Sequence, residues 1–138
     1  MKKMIVSAVA LIVLLGSSCF AFQPSIIGGI RDGVALGLML ESGPADGATL
    51  RMGLEADTSD APGIVFVGGK WPLRNVSGRF PMSLSGGLVG YLGNNSSQAG
   101  PYISVIFDRF LDVSPLSLEF GIDIVNFGRL QCQLGYPF

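Results

Sequence analysis

The sequence contains no histidine, and only 14% of its 138 residues carry a charge. Histidine is the commonest general base and metal ligand in proteins, so its absence argues against many enzyme mechanisms and metal sites. Soluble domains usually contain about 25% charged residues, so this chain is poor in charge for a surface exposed to water. Its formal net charge of −1, with no basic stripe, argues against nucleic acid as a partner.

Cysteine is also scarce, because Cys19 and Cys132 are the only two. A basic start, an apolar run over residues 4–15 and the small residues that follow are typical of an export signal. We therefore expect residues 1–21 to be a cleaved signal peptide, with an uncleaved anchor or a lipidated Cys19 as alternatives. Residues 22–138 would then form a single domain without an intrachain disulfide.

Beyond the signal, short segments alternate apolar and polar residues, the period of two that is typical of strands. In residues 48–57, Leu50 and Leu54 share one face, and Arg51 and Glu55 share the other. Seven such segments are separated by short stretches rich in Gly, Pro, Asn, Asp and Ser. Connections of this kind predict antiparallel neighbours in an all-β, up-and-down meander.

The two faces of these segments indicate how the meander closes. The apolar faces contain no Lys, Arg, Asp or Glu, whereas the polar faces combine Gly, Ala and Ser with scattered charges of both signs. A lipid-facing surface requires an uncharged face, and small residues with a few charges suit the narrow interior of a small barrel. The predicted fold is therefore a small transmembrane-type β-barrel with a charged lumen. The predicted lumen charges are Arg51, Glu55, Lys70, Arg79, Asp108, Glu119, Asp123 and Arg129.

Two other arrangements of the same pattern stay open. The aliphatic faces could point inward and form a soluble periplasmic barrel that holds a hydrophobic ligand. Alternatively, the strands could complete a barrel only as part of an oligomer. Within the lumen, the carboxylates are interpreted as structural partners of the basic residues, because unpaired charges in so narrow a space are costly. No catalytic, cofactor or metal site is predicted.

Aromatic residues of the apolar faces lie near segment ends. If consecutive strands run in opposite directions, these aromatics fall on one rim and form an interfacial girdle of the type found at membrane surfaces. The predicted girdle residues are Trp71, Phe80 and Phe107, together with Tyr136 and Phe138.

The last segment, residues 129–138, reads RLQCQLGYPF. It resembles the final strand of the outer-membrane β-barrel proteins of Gram-negative bacteria, which typically ends in Phe after apolar residues at alternate positions. The resemblance implies that the barrel-assembly machinery recognises this strand and that the lipid bilayer of the outer membrane surrounds the barrel. The matching residues, interpreted as an assembly signal, are Leu130, Cys132, Leu134, Tyr136 and Phe138.

The resemblance also implies an even number of strands, because the C-terminus of that family lies in the periplasm. An eighth strand is therefore expected over residues 23–30, turning at 31–33 and pairing with the last strand. A barrel of this size has an interior about filled by side chains. We expect a structural role in the envelope, with passage of very small solutes at most. Outer-membrane enzymes of this architecture rely on histidine, so no enzymatic activity is expected.

Overall fold

The computed structural model describes residues 22–42, 47–73 and 81–138. It forms a closed barrel of eight antiparallel strands in chain order, which confirms the predicted all-β, up-and-down barrel and its strand number. The strands are β1 (Phe22–Arg31), β2 (Gly33–Ser42), β3 (Thr49–Asp57), β4 (Gly63–Pro72), β5 (Met82–Leu92), β6 (Ser97–Asp108), β7 (Ser117–Val125) and β8 (Phe127–Pro137). Residues 1–21, the predicted signal peptide, lie outside the described residues.

The barrel closes within one chain through β1 and β8. Their ladder runs from Ser25 opposite Pro137 to Arg31 opposite Gln131. The Phe138 amide extends the closure by donating to the Pro24 carbonyl at 3.1 Å. The expected eighth strand is thus present, and no second chain is needed to complete the barrel. The oligomeric alternative loses its basis, because β1 satisfies the edge of β8.

Because the strands run up and down in chain order, the connections between them alternate between the two ends of the barrel. At one end, here called the short-turn end, single residues separate β1 from β2 and β7 from β8. These residues, Asp32 and Asn126, have φ values of 68° and 59°, in the left-handed region that Asp and Asn tolerate better than most residues. The other end, here called the terminal end, holds Phe22, Phe138 and the longer connections. One connection contains a 3₁₀ turn at Phe110–Asp112.

The pleat places alternate residues inside and outside. An apolar cluster fills part of the interior, formed by Ile27, Met39, Ile64, Phe66, Val89, Tyr91, Tyr102 and Val125. The outer surface carries large exposed aliphatic side chains such as Leu36, Leu38 and Leu130, which are 65%, 54% and 74% exposed. In the described ranges, no helix is long and apolar enough to cross a membrane.

Candidate functional site: the charged interior

Every charged residue of the eight described strands faces the interior or the rim, and each is at least partly buried. Of the predicted lumen charges, Arg51, Glu55, Glu119 and Asp123 are buried. Lys70 and Asp108 lie partly buried towards the terminal end, and Arg129 lies near the short-turn end. Arg79 lies outside the described residues.

Arg31 organises the part of the interior nearest the short-turn end. Its guanidinium donates to both carboxylate oxygens of Asp123, at 2.7 and 3.0 Å, and to Glu55 at 2.7 Å. The guanidinium carbon also lies 5.1 Å from the centre of the Phe66 ring and 5.7 Å from that of Tyr102. Arg31 is 1% exposed, so it depends on these contacts in place of water.

Two neutral side chains complete the Arg31 cluster. The Tyr91 hydroxyl donates to Asp123, and the Gln133 amide donates to Glu55. Both carboxylates therefore accept hydrogen bonds from Arg31 and from a second group. The cluster joins strands that are not neighbours in the sheet, so it braces the barrel across its lumen.

The placement of Arg31 corrects the sequence-based assignment of residues 31–33 to a turn. Asp32 alone separates the strands, and Arg31 pairs with Gly33 at the end of the β1–β2 ladder. Arg31 therefore continues the inward alternation of Ser25, Ile27 and Gly29. That alternation was the signal that could have identified Arg31 as an inward-facing strand residue, but the Arg-Asp-Gly sequence is typical of a turn and led to the wrong assignment.

Arg51 organises a second cluster deeper towards the terminal end. Its guanidinium donates to the two carboxylate oxygens of Glu119 at 3.2 and 2.8 Å, and to the Ser85 hydroxyl at 2.9 Å. The Ser104 hydroxyl also donates to Glu119. A contact of 3.0 Å joins Arg51 to the sulfur of Met39. This two-point pairing with a carboxylate fits the fork geometry of arginine.

A third, more accessible group of charges lies at the terminal end. Lys70 Nζ is 3.1 Å from Asp108 and 3.4 Å from Glu41. Asp108 also accepts from the Ser83 hydroxyl at 3.1 Å, whereas Glu41 reaches Arg51 Nε only at 3.9 Å. The alternation places Glu41 on a polar face, but it was not among the predicted lumen charges.

Arg129 closes the opposite end. It donates to Asp32 at 2.8 Å, and its guanidinium carbon lies 4.3 Å from the centre of the Tyr91 ring. The pair links β8 with the β1–β2 turn. Because Asp32 is exposed, solvent screens this ion pair more than the buried ones.

The interior is therefore a set of matched charges packed beside an apolar cluster. Each buried arginine meets at least one carboxylate, and Glu55, Glu119 and Asp123 each have their lone pairs engaged by arginine and a second donor. Such an arrangement fills the lumen and connects distant strands. Within the described ranges, no group of three or more His, Cys, Asp or Glu residues could hold a metal ion.

The residues predicted as an assembly signal lie on the outer face of β8. Leu130, Leu134, Tyr136 and Phe138 are exposed, and Cys132 is partly exposed. The predicted girdle residue Trp71 is 47% exposed near the terminal end of β4. Phe107 lies near the same end of β6, half-buried and edge-on to Phe120 at 6.4 Å between ring centres. Phe80 lies outside the described residues.

Comparison of the chain with protein-family models, with curated proteins and with solved structures found no match.

Proposed function

We propose that this chain is a small integral outer-membrane β-barrel with a structural role in a Gram-negative envelope. The observation that carries the proposal is the division of residues between the two sides of the barrel wall. Charged residues of the described strands point inward, while Leu36, Leu38, Leu130 and other large aliphatic residues are exposed outside. A surface of this kind suits the hydrocarbon region of a bilayer, where a charge at the midplane costs about 2–4 kcal/mol.

The aromatic residues support a membrane boundary at the terminal end. Trp71, Tyr136 and Phe138 are each about half exposed or more on the outer surface near that end. Aromatic side chains prefer the interface between lipid and water, because one part of the ring system is apolar and, in Trp and Tyr, another is polar. The resemblance of β8 to outer-membrane strands adds the barrel-assembly machinery as the proposed partner during biogenesis.

The side chains packed across the middle of the interior support a structural role over that of a wide pore. Arg31 and Arg51 cross the lumen to carboxylates on other strands, and the apolar cluster occupies the space beside them. Eight-stranded barrels have interiors just wide enough for side chains. Passage is therefore limited to very small solutes.

The soluble alternative, a periplasmic barrel that holds a hydrophobic ligand, is not favoured. Such a protein needs an apolar cavity inside and a hydrated surface outside. Here paired charges share the interior with the apolar cluster, and the outer surface is aliphatic where a soluble barrel needs a hydrated one.

The experiment is membrane fractionation of the chain expressed in a Gram-negative host. Outer membranes are washed with carbonate or urea and run on a gel with and without boiling. The proposal predicts that the chain stays in the membrane and migrates faster without boiling, as closed membrane barrels do. Release into the soluble fraction, with no change in migration on boiling, would exclude it.

A further inference from the structure

A cavity of about 330 Å³ opens into the barrel at the terminal end. Its charged lining residues are Glu41, Lys70, Asp108 and Arg109, and its polar ones include Gln23, Ser25 and Thr49. Met39 belongs to the lining and touches the Arg51 guanidinium, so the Arg51 cluster lies behind this wall. The volume is at the small end of the range for ligand pockets.

The carboxylate of Glu41 has unused capacity to accept hydrogen bonds. Its ion pairs with Lys70 and Arg51 are long, at 3.4 and 3.9 Å, and no hydrogen bond to it occurs among the described residues. By contrast, Asp108 accepts from Lys70 and from Ser83 at 3.1 Å each. Glu41 is therefore the carboxylate of the cavity that is ready to accept from an ammonium group.

Arg109 supplies the opposite charge. It follows β6 directly, is exposed, and makes no ion pair with any described residue. A guanidinium in this position can bind a carboxylate through two parallel hydrogen bonds. Thr49 adds a further group, because its enclosed hydroxyl oxygen has no hydrogen-bond partner in the described part of the chain.

We infer that this cavity binds a small zwitterion, a molecule of amino-acid or dipeptide size with an ammonium and a carboxylate group. Glu41 and the Thr49 hydroxyl accept from the ammonium, and Arg109 donates to the carboxylate. Lys70 and Asp108 neutralise each other beside the ligand. The inference concerns the lumen alone, so it holds whichever environment surrounds the outer surface.

The test uses the folded barrel in detergent micelles and three probes in ligand-observed NMR titrations. The probes are alanyl-alanine, which carries both charges, its N-acetyl derivative, which keeps only the carboxylate charge, and its C-terminal amide, which keeps only the ammonium charge. We expect the dipeptide to bind roughly tenfold more tightly than either derivative, since each derivative loses one charge-assisted contact. Glu41→Gln should remove the preference over the N-acetyl form, and Arg109→Gln should remove the preference over the amide.

Further variants keep the test decisive if Glu41→Gln fails to fold. Thr49→Val removes the hydroxyl with little change in shape and should weaken binding of the dipeptide. Gln23→Trp places a large side chain across the mouth of the cavity from an exposed position and should abolish binding of the dipeptide. Asp60→Asn, in a loop at the short-turn end, is the matched control and should leave binding unchanged. Absence of dipeptide binding at millimolar concentration, equal affinity for the three probes, or binding unaffected by Gln23→Trp would overturn the inference.

Discussion

Arg31 and Asp123 form a two-point ion pair between β1 and β7, with nitrogen–oxygen distances of 2.7 and 3.0 Å. These strands are separated by β8 in the sheet, so the pair spans the seam at which the barrel closes. Neither side chain has appreciable contact with solvent, since Arg31 is 1% and Asp123 0% exposed. The pair therefore joins the two ends of the meander from inside.

Replacing Arg31 should destabilise the barrel strongly. Arg31→Met leaves the buried carboxylates of Asp123 and Glu55 without their cation, which typically costs about 3–5 kcal/mol in the free energy of unfolding. Arg129→Met is the matched control, because the partly exposed pair with Asp32 should contribute about 1 kcal/mol or less. Urea unfolding of both variants in lipid vesicles measures the difference. Equal destabilisation by the two changes would contradict the bracing role of Arg31.

A methyl group at Gly87 should disturb the wall of the barrel. A Cβ atom there would lie 2.1 Å from the Val67 carbonyl oxygen and 2.4 Å from the Gly68 Cα, so the backbone of two strands would have to separate. We expect Gly87→Ala to lower the free energy of unfolding by at least about 2 kcal/mol. Gly128→Ala is the control, because a Cβ atom added there would meet nothing within 4 Å. A Gly87→Ala barrel as stable as the control would show that the strands tolerate the wider spacing.

A charge in the middle of the outer face should block insertion. Leu38 pairs with Ile26 and Leu54 at the centre of the β1–β2–β3 surface, and Leu38→Arg should cost about 2–4 kcal/mol if lipid surrounds that position. Leu111→Arg changes another exposed leucine, in the 3₁₀ turn beyond the barrel wall, and should insert normally. The fraction of chain that migrates as a folded barrel after mixing with vesicles measures both. Normal insertion of Leu38→Arg would argue against a lipid-facing wall.

Cys132 offers a test of the outer face of β8. Its thiol lies on the same side as Leu130 and Leu134 and is partly exposed. In vesicles, lipid should shield the thiol from a membrane-impermeant maleimide. In urea without detergent the chain unfolds, and the thiol should become exposed to the reagent. A Cys132→Ser, Ser96→Cys variant places the thiol in an exposed loop and should react in both conditions. Rapid labelling of Cys132 in the folded, lipid-bound chain would place that face in water.

Much of the architecture could be predicted from the sequence, because side chains alternate between the two faces of a strand. Once one residue of a strand is known to face inward, the face of every other residue in that strand follows. The alternation predicted the inward position of Arg51 and Glu119 and the outward position of Leu54. The partners of each charge could not be predicted in the same way. Arg31 meets Asp123, which is 92 residues away in the sequence and two strands away in the barrel. This meeting depends on how strand tilt and stagger add up around the barrel.

The central claim is that lipid surrounds the outer surface, and Trp71, the single tryptophan of the chain, tests it most directly. Its fluorescence is measured in vesicles whose lipids carry bromine either near the headgroup or deep in the acyl chains. We expect stronger quenching by the shallow bromines for Trp71, and by the deep bromines for a Leu38→Trp, Trp71→Phe variant. Absence of quenching at both positions and both depths would contradict a membrane barrel.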